Sequence, residues 1–222
     1  MTPISFITPI KNRTNILVEH RGKNIRLKLF ENNLRALLDI ITPEDCWEYV
    51  IVDFKSDDVN MSKFIKSLQK PDNLTFKIHT VEQPFFDRGG GINIGVNLAS
   101  HPVIFIMDAD MMVKSRKMFD EIEDVVVKQS KVLFPICWYY LNPQHSNGRS
   151  YYNGTGNFII KKNMFVEMTN NKCWGKEDTI NHRHFKSIGL AHQIDHSIDK
   201  VFVHQWHPTE LRHVNYPSLP AS

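Results

Sequence analysis

Cysteine is scarce: three in 222 residues, Cys46, Cys137 and Cys173. No Cys-x-x-Cys pair exists, which excludes a four-cysteine zinc site and argues against a disulfide framework. A reducing compartment fits that usage. Long apolar runs are missing too. Val103-Ile104-Phe105-Ile106-Met107 is far too short to span a bilayer. Met1 to Ile7 has neither a basic region nor a long apolar core, so it does not read as a signal peptide. Charge is nearly balanced, 27 basic against 24 acidic residues for a formal +3, with no dense Lys/Arg stripe. No nucleic-acid partner is therefore called for. These absences predict a cytoplasmic protein without a transmembrane segment, visiting a membrane only through a partner. Repeats, low-complexity tracts and a His-Glu-x-x-His motif are also lacking.

What remains is an ordinary globular composition, 41% apolar and 23% charged. It is enough for one domain over residues 1–222 with a core that needs no staple. Short apolar runs alternate with helical periodicity. Strands are predicted at Ile4 to Thr8, Tyr49 to Val52, Leu74 to His79, Val103 to Met107, Val132 to Phe134, Phe158 to Ile160 and Lys200 to Val203. Helices are predicted at 23–41, around Phe64 to Leu68, from Gly91 to Ser100, after Ser115, and from Glu177 to Ile188 with Gly189 as its cap. Residues 141–154 are turn-rich and read as a mobile loop. The alternation implies an α/β fold with a mostly parallel sheet flanked by helices. In such sheets the ligand lies beyond the carboxyl ends of the strands.

The strongest chemical signal is the strand running into Asp108-Ala109-Asp110. Two carboxylates one residue apart can hold Mg²⁺ or Mn²⁺ and leave positions open for phosphate oxygens. Read blandly, they are two acids on a solvated turn. Upstream, Arg88-Gly89-Gly90-Gly91 precedes a helix. Glycines there permit close backbone approach to a ligand, and the helix amides suit an anion. Trp174-Gly175-Lys176-Glu177-Asp178 places two acids at a helix start, where the dipole alone would favour them. His204 and His207 follow the last strand. His192 and His196, like His182 and His184, read as surface residues rather than a zinc site. Trp138, Tyr139, Tyr140, Tyr151 and Tyr152 are either a sugar-stacking wall or core plus hairpin.

Four blocks in order resemble the inverting glycosyltransferases of family 2 with the GT-A, nucleotide-diphospho-sugar transferase fold. They are Thr8-Pro9-Ile10-Lys11-Asn12-Arg13, the Arg88 to Ser100 segment leading to Asp-x-Asp, Trp174 to Asp178, and the strand ending at His204. The third block is similar to the chondroitin-polymerase-like and galactosyltransferase-like branch. In Asp53-Phe54-Lys55 the family's usual second Asp and Gly are replaced. The resemblance implies a metal-dependent hexosyltransferase of polysaccharide biosynthesis, moving a sugar from a nucleotide-diphosphate donor, a UDP-sugar first, to a glycan acceptor. It implies that residues 1–110 bind the nucleotide-sugar and 111–222 the acceptor. Donor binding falls to Thr8, Pro9, Arg13, Asp53, Arg88, Asn93 and Asp108. The metal, Mn²⁺ or Mg²⁺, falls to Asp110, His204 and Asp108, with His207 the alternative histidine. Asp178 becomes the general base, with Glu177 and Trp174 at the acceptor. Two other readings stand beside it: a non-catalytic carbohydrate-binding module of the same fold, and a sugar-nucleotide pyrophosphorylase, against which the Thr8 to Arg13 loop argues.

Overall fold

A computed structural model describes residues 2–169 and 176–212. The chain opens with β1 (Ile4–Ile10), the hairpin β2 (Ile16–His20) and β3 (Lys23–Leu27), and α1 (Leu29–Leu38). β4 (Trp47–Asp53), α2 (Met61–Ser67), β5 (Leu74–Thr80), α3 (Arg88–Leu98) and β6 (Val103–Ile106) complete the first half. Then come β7 (Met111–Val113), α4 (Lys117–Glu121) continuing into a π-helical stretch at Ile122–Lys128, β8 (Val132–Tyr140) and β9 (Gly148–Tyr151). β10 (Phe158–Lys161), α5 (Lys176–Ser187), β11 (Ala191–Asp195) and β12 (Phe202–His204) follow.

One large sheet runs β5-β4-β1-β6-β10-β8-β12-β7, with β9 and β11 also paired to β8. Its first four strands are parallel. β10 reverses direction against both neighbours. β11 and β12 run parallel to β8, while β9 and β7 pair antiparallel. Every residue of β1 and β4 is buried, as expected for strands covered on both faces. Phe6, Trp47, Tyr49, Phe105 and Phe119 fill one face, and Ile7, Val52, Ile104, Phe134 and Phe158 the other.

The predicted helix over 23–41 is half right. Lys23–Leu27 pairs instead with β2 around Arg21 and Gly22, both left-handed at φ 52° and 72°. Two consecutive residues of that kind make the tight turn a hairpin needs. The predicted loop at 141–154 carries β9. Short β7 and β11 also escape the pattern, because three to five residues show no readable alternation.

α3 begins at Arg88, so the glycines lie inside its first turn rather than before it. A Cβ on Gly91 would sit 2.8 Å from both Phe54 and Pro9, and one on Gly95 2.3 Å from Ile7. Their function is to seat the helix on the sheet. The Asp87 carboxylate caps the helix by accepting from the Gly90 amide at 3.0 Å. The expected glycine-lined anion site is therefore filled by the chain's own acid. Among the described residues, no helix is long and apolar enough to cross a membrane.

Candidate active site

A cleft of about 340 Å³ opens beyond the carboxyl ends of β1 and β6. Arg88 forms its floor and is 6% exposed. Its Nε donates to Asp108 Oδ1 at 2.7 Å, Nη1 to Asp178 and Nη2 to the Gly156 carbonyl. Glu177 lies 3.7 Å from Nη1. One guanidinium thus ties together the strand end at Asp108, the loop at Gly156 and the start of α5. Burial opposes its charge, yet Asp108, Asp178 and Glu177 hold the proton more firmly than usual. Asn157 fixes Asp108 twice, accepting from its amide (2.7 Å) and donating to Oδ2 (3.2 Å). Burial pushes the Asp108 carboxyl up to about 6 against the pull of Arg88, helped by Asp110 and Asp178.

Asp110 faces a different way. Pairing of β12 with β7 sets His204 beside Met111, and the Gln205 amide donates to the Asp110 carbonyl at 2.9 Å. His204 Nε2 is 3.6 Å and His207 Nε2 3.2 Å from Asp110 Oδ2. One ligand atom from each of the three lies within 4.8 Å of the others. Burial would raise the Asp110 carboxyl, but His204, His207 and Arg13 outweigh it and hold it well below the usual range.

His207 Nδ1 is 2.9 Å from the Pro208 carbonyl, so that nitrogen carries the proton. Its Nε2, on the other edge of the ring, faces the Asp110 carboxylate at 3.2 Å, a spacing at which the two can share a proton or a cation. A carboxylate with two imidazoles suits Mn²⁺ better than Mg²⁺. The cluster unites both candidate histidines, and Asp108 is committed elsewhere, to Arg88 and Asn157.

Other expected residues scatter. Pro9 and Arg13 line the cleft. Thr8 does not: it is fully buried, donating to the Met107 carbonyl at 2.6 Å and lying 2.8 Å from the Tyr49 hydroxyl. Asn93 is turned to the Met168 backbone, bonding its carbonyl (2.9 Å) and amide (2.8 Å). Asp53 is 5% exposed and accepts from the Ser56 amide, and burial raises its carboxyl. Lys55, where the family usually has glycine, adopts the left-handed conformation at φ 52°. Glu177 is 4% exposed, sits against Arg88 and does not line the cleft. Trp174 lies outside the described residues.

His196 is buried, against expectation, 2.7 Å from Glu121 and away from the cleft. Tyr139, one of the aromatics offered as a sugar-stacking wall, lines the cleft, whereas Gly156 and Asn157, just before β10, went unpredicted at the site. Cys137 also lines the cleft, but burial pushes its thiol up to about 12, which leaves it inert as a nucleophile.

A family model described as glycosyl transferase family 2 matches residues 5–188. The chain belongs to that family. Among solved structures, S. aureus TarS residues 1–349 in complex with UDP-GlcNAc aligns at a TM-score of 0.70 and 15% identity, over 98% of this chain and 62% of that one. The same TarS fragment without that ligand gives 0.66 and 15%, over 92% and 60%. A structure named simply as TarS gives 0.64 and 14%, over 95% and 38%. This family 2 chain therefore has the GT-A fold and spans less than two thirds of the TarS chains it matches. No curated protein shows significant sequence similarity to it.

Proposed function

We propose that the chain is a metal-dependent, inverting hexosyltransferase. It moves a sugar from a nucleotide-diphosphate donor, a UDP-sugar first, to a hydroxyl of a glycan or glycoconjugate. The observation that carries this reading is one cleft holding a cation-ready cluster, Asp110 with His204 and His207, and a separate partly open carboxylate, Asp178, held by Arg88. Family membership and the likeness to TarS bound to UDP-GlcNAc support the donor class.

Residues 1–110 supply the nucleotide side through Pro9 and Arg13, and residues 111–222 the acceptor side. Asp178 takes the proton of the acceptor hydroxyl as its oxygen bonds to the anomeric carbon. The bond from that carbon to the phosphate oxygen breaks in the same displacement, and its electron pair leaves on the nucleoside diphosphate. Asp110, His204 and His207 would hold Mn²⁺ or Mg²⁺, which would supply positive charge to neutralise the leaving group. Arg88 orients Asp178 through Nη1.

Thermal unfolding with UDP, GDP, CMP and dTDP, with and without Mn²⁺, tests the donor site. UDP at 100 times its dissociation constant adds about 2.7 kcal/mol of stability. The gain should need Mn²⁺ and vanish in His207→Ala. Asp178→Asn should keep the UDP shift and lose transfer by at least about 100-fold. An unchanged transfer rate in Asp178→Asn rejects the base.

A further inference from the structure

The hairpin of β8 and β9 forms one wall of the cleft, and the proposed reaction leaves its side chains without a task. Register pairs Cys137 with Tyr151 and Tyr139 with Arg149. Residues opposite one another share a face. Cys137, Tyr139 and Tyr151 line the cleft, so Arg149 stands on the same face at its rim. β12 pairs His204 with Tyr139. Arg149, Tyr139 and His204 therefore form one row across three strands, which sets Arg149 about 10 Å from His204. Tyr139 stands between them with its ring stacked on His204 (4.3 Å, 15°).

Tyr151 is 38% exposed yet held in place. A Cβ on Gly154 would come within 2.9 Å of its ring, and Tyr139 packs against it at 5.7 Å. The far side of the hairpin is tied down as well. Ser197 Oγ donates to Ser150 at 2.6 Å, and the Tyr152 hydroxyl donates to Asp195 at 3.2 Å. An exposed aromatic ring already fixed in orientation loses little entropy when a sugar face stacks on it. The Arg149 side chain is exposed and makes no ion pair or side-chain hydrogen bond among the described residues. The acids of the cleft are already matched, Asp108 and Asp178 to Arg88 and Asp110 to the histidines. A guanidinium fork on a rigid strand beside an aromatic platform suits an anionic group carried by a sugar.

We propose that this hairpin is the acceptor subsite and that the acceptor is an acidic glycan, Tyr151 seating a sugar ring and Arg149 binding its carboxylate or phosphate. The inference rests on the transferase reading above. It is tested by titrating the UDP- and Mn²⁺-loaded protein calorimetrically with three disaccharides that differ at one position: a uronate, a 6-phosphate and a neutral alcohol. One acidic probe should bind about tenfold tighter than the neutral one, and which of the two does so identifies the anion. Arg149→Gln should erase that preference while leaving affinity for the neutral probe and for UDP unchanged. Tyr151→Ala should weaken all three, and Tyr151→Phe should not. Equal affinities, a preference that survives Arg149→Gln, or no disaccharide binding overturns the subsite alone. Failure of UDP itself to bind overturns the transferase reading and the subsite with it.

Discussion

Arg88 carries more of this site than any other side chain. Three carboxylates, Asp108, Asp178 and Glu177, surround it, and Glu177 is almost wholly buried. Removing the cation strands those acids, and breaking a buried pair in that way costs about 3–5 kcal/mol. Arg88→Leu should therefore lower stability by that amount in denaturant titration. Arg88→Lys keeps the charge but loses the fork that reaches Asp108, Asp178 and Gly156 together. It should remain folded and still lose most of the transfer rate, with UDP binding retained. A fully active Arg88→Lys would reduce the guanidinium to a plain counter-charge. Such a role was not visible in the chain, where Arg88 reads as one more donor-binding residue, because Asp108, 20 residues on, and Asp178, 90 residues on, meet it only after folding.

At the scale of elements, close packing of α3 on the sheet sets where Arg88 emerges. Gly95→Ala would place a Cβ 2.3 Å from Ile7 Cγ2. Overpacking of that kind costs about 1–3 kcal/mol. Thermal denaturation should show the loss, and Ile7→Ala in the same chain should recover part of it, since the clash is with that side chain; purely additive effects would place the strain elsewhere. The β2–β3 hairpin, whose second strand reads from periodicity as helix, has a task of its own. His20 packs edge-on against Trp206 at 4.8 Å. Asn32 of α1 donates to Gln205 at 2.8 Å, and Gln205 donates to the Leu29 carbonyl at 2.8 Å. Hairpin and helix together brace the segment that delivers His207. Leu27 and Phe30 are both buried, which satisfies a helical spacing although a strand supplies the first and a helix the second.

Across the whole molecule, buried His196, facing half-buried Glu121, couples folding to pH. Burial, with Lys117 nearby and Asp195 opposing, lowers His196 to about 4 from its ordinary 6.5. Burial raises the facing Glu121 carboxyl. Between about pH 6.5 and 4 the unfolded state takes a proton on His196 that the folded state refuses. Stability from this group is thus present above 6.5 and falls as pH drops through that window. His196→Gln should lessen the loss between pH 7 and 4.5 by about 2 kcal/mol, measured by urea unfolding at each pH. A pH profile identical to the parent's would mean that the ring is solvated or shares its proton with Glu121. The π-helical stretch begins immediately after Glu121, and nothing in the contacts around it supplies a reason for that geometry.

Local order determined the fold class. Apolar runs at β1, β4, β6 and β8 are strands because they are buried on both faces, and burial of that kind leaves a continuous hydrophobic signature in the chain. The placing of Asp108, Asp110 and His204 on the cleft was legible because each sits at or just past a strand end, where α/β sheets place their ligands, and that of Asp178 because it opens a helix. Tertiary structure decided the rest. It withdrew Thr8 and Glu177 into the interior and turned Asn93 to the Met168 backbone, since exposure depends on which residues arrive from elsewhere. It gathered His207 with His204 around Asp110 and sent Asp108 to Arg88, because neighbouring side chains on a turning backbone can face different partners. It set Arg149 beside Tyr139 and Tyr151 in one wall, because the register of the β8–β9 hairpin decides which side chains share a face and a turn-rich stretch does not display that register.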